Sequence, residues 1–361
     1  MKIAVIPGDG IGPEILAQSM RVLEALRPFD FAFVVDVVPA GACAYEQFGT
    51  PLPDATVRAA LGADAVLFGC VGDIRYDSLD RELRPEQAIL GLRERLGLYA
   101  SLRQVQINDS LAHLSPLKPE LVSGLDIVIV HELSGDVYMG ALRGQRVVTE
   151  GTWQGQREGF DTMRYTEGEV RRVARVAFET ARTRNSRLCS VDKANVLETS
   201  KLWRRTVMEV GNDYPDVALT HMYADTAGME LIAQPKAFDT IVTGNLFGDV
   251  LADAASGLTG SVALAASVML GTIGPSLYEA GHGTALDIAR KDVANPIASI
   301  RAAALLLRHS GGRPDLADRI EGAVRKALKR GFRTADIHRP GTTLVSTQQM
   351  GDEIVRAITE P

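Results

Sequence analysis

Two aspartates are the sharpest chemical feature of this chain. Asn245-Leu246-Phe247-Gly248-Asp249 runs directly into Val250-Leu251-Ala252-Asp253. The i, i+4 spacing puts Asp249 and Asp253 on one face of a helix, where two like charges repel unless a cation lies between them. A solvated acidic face would account for such a pair, but the surrounding sequence is apolar and poor in charge. Hard divalent cations take oxygen ligands, and Mg²⁺ commonly uses one or two carboxylates and leaves other positions to substrate and water. Asp225, in Met222-Tyr223-Ala224-Asp225-Thr226, is a third candidate ligand. Arg93 and Arg103 lie either side of a turn in GLRERLGLYASLR. Arg93 falls in a helical pattern that suits a solvated side chain, whereas Arg103 follows the mostly apolar run Leu98–Leu102. A guanidinium binds a carboxylate bidentately, so the pair suits a di- or tricarboxylate. Lys193, in Val191-Asp192-Lys193-Ala194-Asn195-Val196, reads as an exposed lysine after a strand; beside a divalent cation such a group becomes a usable base. Gly281-His282-Gly283-Thr284-Ala285-Leu286-Asp287, with Asn295-Pro296 beyond it, combines small residues that admit a ligand with a carboxylate suited to a ribose diol.

The elements that must position these groups alternate between two periodicities. Lys2–Ile6 reads as a buried strand, and Gly8, Gly10, Gly12 and Pro13 turn into a helix over about Pro13–Leu26. Phe31–Val38, Ala65–Phe68 and Asp126–Val130 read as strands, and Pro85–Leu96 as a helix. Strands apolar on both faces suit a sheet covered by helices, which makes this an α/β protein. Tyr138–Asp161 is rich in Gly, Arg, Thr and Val, and reads as an antiparallel excursion or arm. Thr166-Glu167-Gly168-Glu169 matches a capping box opening a helix to about Arg182. Arg187–Ser190, Val217–His221 and Thr240–Thr243 are short strands. Helices are predicted from Asp249 to Ala255, over Ala294–Leu307 and over Asp315–Arg330. No GxGxxG follows the first strand, so a Rossmann cofactor turn is excluded.

Composition narrows the class further. The 361 residues suggest two domains, or one large one. Hydrophobic residues make up 46% and charged residues 23%, as in a soluble globular chain able to bury a large core. Lys plus Arg is 39 and Asp plus Glu is 45, a net charge of −6 with no basic block, which argues against nucleic-acid binding. Cys43, Cys70 and Cys189 are sparse and form no CxxC, which fits a reducing cytoplasm. The start MKIAVIPGDGIGPE does not read as a secretion signal. The uncharged stretch Ala254–Tyr278 is broken by Gly257, Gly260, Gly271, Gly274 and Pro275, and reads as core or interface rather than a membrane span.

Read together, the motifs resemble the β-decarboxylating dehydrogenases of 2-hydroxy acids, the isocitrate/isopropylmalate dehydrogenase family. The matching pieces are GDGIGPE (8–14), RPEQAILGLRERLGLYASLR (84–103), ELSGDVYMG (132–140), VDKANVLETSKLW (191–203), YPDV (214–217), residues 223–229, FDTIVTGNLFGDVLAD (238–253), GHGTALDIA (281–289), ANP (294–296) and GFRTADI (331–337). They span nearly the whole chain in family order, and the 84–103 block is most similar to the 3-isopropylmalate branch.

The resemblance implies two α/β domains around a long mixed sheet. Residues 1–99 with 254–361 form a discontinuous cofactor-side domain, and 100–253 form a substrate and dimerisation domain with the arm at about 138–161. It implies NAD- and metal-dependent oxidative decarboxylation of a 3-substituted malate, above all 3-isopropylmalate in leucine biosynthesis. Mg²⁺ or Mn²⁺ would be held by Asp225, Asp249 and Asp253. Lys193 would be the base and Tyr138 the acid that protonates the enol carbon. Arg93, Arg103 and His131 would face the departing carboxylate, and Ile89, Leu90 and Val196 the C3 substituent. Glu86, His282, Gly283, Asp287 and Asn295 form the cofactor set, and an acid at position 287 favours NAD over NADP. A homodimer with shared active sites is implied, with Lys193 and Asp225 completing the partner's site.

The chain departs from the family pattern at several points. His131 stands where the family has a third arginine, leaving two fixed cations for that carboxylate. Asp225-Thr226-Ala227-Gly228-Met229, Ala280-Gly281, Leu286 and Arg290-Lys291-Asp292 also differ. These departures keep open a paralogue acting on another 2-hydroxy acid, such as tartrate, D-malate, homoisocitrate or a specialised malate. A non-catalytic dimeric binding protein is the remaining alternative, since fold alone does not fix function.

Overall fold

The computed structural model describes residues 1–360; Pro361, the last residue of the expected first domain, lies outside them. The strands in chain order are β1 (Lys2–Gly8), β2 (Val34–Val37), β3 (Ala65–Cys70), β4 (Leu98–Gln106), β5 (Asp126–Glu132), β6 (Arg143–Val147), β7 (Arg157–Asp161), β8 (Arg187–Asp192), β9 (Ala218–Tyr223), β10 (Thr240–Thr243), β11 (Ala266–Gly271) and β12 (Leu277–Ala280). The chain divides into two compact units, Met1–Asp126 together with the stretch from Asp253 onward, and Ile127–Ala252. The expected boundary at 99/100 falls inside β4, which pairs along its length with β11 and so packs with the first unit.

In the first unit the strand order is β2-β1-β3-β12-β11-β4. β1 is parallel to β2 and β3, and β3 to β12, whereas β11 is antiparallel to both β12 and β4. Every residue of β3 is buried, as expected for a strand covered on both faces. The helix Ile297–His309 packs on β11 and β12, and also against the helices Gly12–Glu24 and Pro314–Lys329. The second unit carries the all-parallel order β5-β10-β8-β9. Its helix Glu167–Arg182 buries Val170, Val173, Ala174, Ala177, Phe178 and Ala181, a stripe of helical period facing the strands. The predicted capping box is formed: Thr166 and Glu169 satisfy each other's backbone amides.

Three local expectations need correction. The helix predicted from Asp249 begins four residues earlier and runs Asn245–Gly257. Its opening amides are met from elsewhere in the fold, Asn245 N–H donating to Tyr165 Oη at 2.8 Å and Leu246 N–H to Asp136 Oδ2 at 3.3 Å. Capping by distant side chains leaves no local signal. The run after Arg93, read only as a turn and an apolar segment, is the nine-residue strand β4. The predicted Phe31–Val38 strand shrinks to Val34–Val37, with Phe31 and Phe33 buried outside the ladder.

The uncharged stretch from Ala254 holds the helix end, β11 and the start of β12, with Val268, Leu277 and Tyr278 fully buried. Among the described residues no helix is long and apolar enough to cross a membrane. Residues 143–161 form the antiparallel pair β6–β7, on which Val147, Trp153 and Phe160 are exposed.

Candidate active site

In the first unit, strand register builds a polar row. Arg103 on β4 sits opposite Ser267 on β11, and Ser267 sits opposite Glu279 on β12. Directly paired residues point to one face of a sheet. Ser267 Oγ donates to Glu279 Oε1 at 3.4 Å. Burial raises the Glu279 carboxyl above the usual carboxylate range, against the opposing pull of the Arg93 and Arg103 guanidinium groups. Arg103 is the better buried member of an ion pair with Asp253, the side chains being 11% and 71% exposed. The buried Nε atoms of Arg93 and Arg103 have no hydrogen-bond partner. Guanidinium donors left unsatisfied, with both groups acting on the same Glu279 carboxyl, suit an incoming carboxylate. Gly281 lies over this corner, since a Cβ there would come within 3.5 Å of Arg103 Nε. Ile89 and Leu90 are half-buried on the helix Gln87–Leu96 that carries Arg93.

The same unit joins two glycine-rich loops. Ile11 N–H donates to Thr284 O at 2.9 Å, and a Cβ on Gly10 would meet that carbonyl oxygen at 2.1 Å. Only glycine allows this approach, which fixes the 8–14 loop against the 281–287 loop. The Asp9 carboxylate anchors the turn by accepting from the amides of Ala42, Cys43 and Gly72. Beneath the loops, Ile11, Ile15, Cys70, Ala280, Ala294 and Ala298 form an apolar cluster. Glu86 is exposed, and a Cβ on Gly72 would come within 3.0 Å of its Oε1. His282 Nε2 is buried without a partner, and burial holds the ring's pKa below the usual histidine value. Asp287 is exposed, and Asn295 bridges the Asp336 carboxylate and the amide of Ile297. A neutral imidazole with a spare ring nitrogen, an exposed carboxylate and close-packed glycines are fit to receive the adenosine part of a dinucleotide.

In the second unit, Lys193 follows the end of β8. Its backbone is pinned by Ser200 Oγ, and Asp192 is held by Arg204 and by the Ala194 amide. Lys193 Nζ donates to Asp225 Oδ1 at 2.6 Å, and this bond holds the Asp225 carboxyl below the usual range. Tyr138 Oη donates to Asp249 Oδ2 at 2.8 Å. His131 is 4% exposed near the end of β5. A Cβ on Gly248 would meet its Cβ at 2.2 Å and its Cγ at 2.6 Å, so His131 is packed hard against the helix that carries Asp249. Val196 is 65% exposed.

The structure therefore places Asp249 and Asp253 one turn apart, both exposed. Among the described residues of one chain, no three His, Cys, Asp or Glu side chains converge as a metal-binding group. The hard oxygen donors of Asp249 and Asp253 fit a Mg²⁺ or Mn²⁺ ion that takes further ligands from elsewhere. Sequence reasoning missed Glu279, Ser267, Asp136 and Tyr165. Glu279 had a signal: it is the first charge after the long uncharged stretch, set in the apolar strand Leu277–Ala280. The other three act through tertiary contacts alone.

The isocitrate/isopropylmalate dehydrogenase family pattern matches residues 2–354. The chain belongs to that family. It is 58% identical over 357 residues to a 3-isopropylmalate dehydrogenase of Bordetella parapertussis, covering 99% of both chains. It is 56% identical over 358 residues to one from Cupriavidus metallidurans, covering 99% of this chain and 100% of the relative. The crystal structure of isocitrate dehydrogenase from Methylococcus capsulatus superposes with a TM-score of 0.85 at 34% identity, covering 99% of each chain. A β-decarboxylating dehydrogenase from Thermococcus kodakarensis gives 0.77 at 31% identity, covering 99% of this chain and 96% of that one. The fold is the α/β fold of this family, and the chain is an enzyme of its β-decarboxylating dehydrogenase class.

Proposed function

We propose that this enzyme oxidises and decarboxylates 3-isopropylmalate with NAD⁺ and Mg²⁺ or Mn²⁺, as a step of leucine biosynthesis. The observation that carries the reading is the full-length identity of 58% to a relative named for that reaction. The half-buried Ile89 and Leu90 beside Arg93 add to it, because an alkyl substituent needs an apolar wall and a carboxylate needs a cation. When bound, NAD⁺ would accept the C2 hydride, and a divalent cation on Asp225, Asp249 and Asp253 would act as a Lewis acid toward the C2 oxygen.

The chain's own groups do the rest. Arg93 and Arg103 hold the carboxylate that leaves as CO₂ and orient C3 for bond cleavage. Lys193 removes the C2 hydroxyl proton as hydride departs. Once the C3–carboxylate bond breaks, its electron pair remains as an enolate, and Tyr138 delivers a proton to C3. The products are a 2-oxo acid, CO₂ and NADH. Glu86, His282, Gly283, Asp287 and Asn295 hold the dinucleotide, and Asp287 disfavours a 2′-phosphate by charge.

Two copies of the chain share each site, with Lys193 and Asp225 supplied by the partner and the 138–161 arm joining the subunits. The exposed Trp153 and Val147 on that arm and the exposed Met229 and Ile232 support a second copy covering them. Free Cys43, Cys70 and Cys189 support a cytoplasmic setting. The test follows NADH absorbance with Mn²⁺ across 3-isopropylmalate, D-malate, tartrate, isocitrate and homoisocitrate. The expected result is a preference for 3-isopropylmalate of at least roughly 10-fold in kcat/KM. Preference for another acid assigns the paralogue reading instead, and no turnover with any of them assigns the binding protein.

A further inference from the structure

Each carboxylate proposed for the cation is engaged in this structure by a group proposed to handle substrate. Arg103 is paired with Asp253, Tyr138 with Asp249, and Lys193 with Asp225. Arg103 and Asp253 form the most informative of these pairs, because they lie at a boundary between buried and exposed surroundings. The guanidinium is largely buried while the carboxylate is largely exposed. Arg103 offers its NH1 to Asp253 and leaves its Nε without a partner. A carboxylate given up to a divalent cation is a weakened acceptor for an arginine, since the cation draws the same oxygen charge. Losing Asp253 would normally strand a buried guanidinium, which is costly. Here Glu279, in the same cross-strand row, interacts electrostatically with Arg103 and offsets part of that cost.

We propose that Asp253 is an interlock on the substrate arginine. It restrains Arg103 until a divalent cation takes the carboxylate, and only then is NH1 released to bind the carboxylate of a 2-hydroxy diacid, with Glu279 retained as the counter-charge. Cation and substrate then favour each other's binding through one side chain as well as through direct coordination. The coupling is reciprocal, so the diacid must also tighten the cation. This rests on the reading of Asp253 as a cation ligand given above.

The experiment separates the two ideas. Mn²⁺ binding is measured by electron paramagnetic resonance, and 3-isopropylmalate binding by calorimetry in EDTA and in Mn²⁺, for the wild type, Asp253→Asn and Asp253→Ala. Because Asp253 is exposed, both variants should fold, and circular dichroism checks this. The interlock predicts that removing this charge improves binding of 3-isopropylmalate in EDTA by roughly 3- to 10-fold while Mn²⁺ binding weakens. A simple ligand role would leave binding in EDTA unchanged. Weaker Mn²⁺ binding with no gain in EDTA overturns the interlock and leaves the metal reading standing. Unchanged Mn²⁺ binding in both variants overturns the metal reading itself. Arg103→Lys in the Asp253→Asn background should abolish the gain; a gain that persists there also overturns the interlock.

Discussion

The two units present their chemical groups in opposite ways. In the first, Arg103, Ser267 and Glu279 are fixed by register across three strands, and the functional atoms are mostly buried. In the second, the Asp225 side chain is 67% exposed, and Tyr138 and Val196 also stand in solvent. Positioning by sheet register holds a group even when the chain is alone. Positioning at an arm or a helix end holds it only once something else packs against it. Under the proposed roles, Arg103 is held by sheet register within one chain, whereas Asp225, Tyr138 and Val196 are left open to a partner or a ligand.

The sharpest way to break the contrast is to remove Lys193, the proposed base, which is half-buried beside the exposed Asp225. Lys193→Ala should lower kcat by roughly 10²- to 10⁴-fold while the melting temperature stays nearly unchanged; steady-state kinetics with thermal melting would check this, and near-normal turnover would contradict the base assignment. Next in size is the buried corner. Arg103→Lys keeps the charge and loses the fork, so kcat/KM should fall by about 10- to 100-fold, chiefly through KM. Gly248→Ala tests a tightly packed contact in the second unit. The new methyl would collide with His131, so unfolding in urea should show about 1–3 kcal/mol of lost stability.

A pH series sharpens the same comparison. Burial raises the Glu279 carboxyl, so it takes up a proton at a higher pH than an exposed glutamate. As pH falls through that raised value, Glu279 becomes neutral and the arginine corner more positive. Affinity for 3-isopropylmalate should therefore rise over that interval. Glu279→Gln should flatten the rise; calorimetry at successive pH values reads it. The smallest expected effect is at Val196→Ala. Stability should change by less than about 0.5 kcal/mol, yet the preference for 3-isopropylmalate over D-malate should shrink by a few-fold.

How much of this was legible in the sequence follows the same division. Amphipathic helices with their own caps were readable, as the Thr166 box and the Val170–Ala181 stripe illustrate. Strand β10 was readable to the residue, because its four residues Thr240-Ile241-Val242-Thr243 are all β-branched and suit a buried strand. β4 and β11 were not, because their pairing is antiparallel and distant in sequence, and nothing local marks it. The candidate residues on glycine-rich or acidic motifs could be named from their spacing. Ser267 could not, because its significance lies in a cross-strand register that only the folded sheet supplies; Glu279 was marked only as the first charge after the uncharged stretch, and its partners were not. His131 was legible as a departure from the family pattern. Its burial against Gly248 was not, since that contact joins segments more than a hundred residues apart.

The central claim is that each active site is completed by two copies of the chain, and subunit mixing tests it most directly. Lys193→Ala and Asp249→Asn proteins, each inactive alone, are combined under conditions that allow subunit exchange, and NADH formation from 3-isopropylmalate is followed. If the lysine of one copy serves the aspartate of the other, each hybrid dimer has one intact site, and random exchange should restore roughly a quarter of wild-type activity. A mixture that demonstrably contains hybrid dimers yet remains inactive would place both residues in the same chain's site and contradict the account.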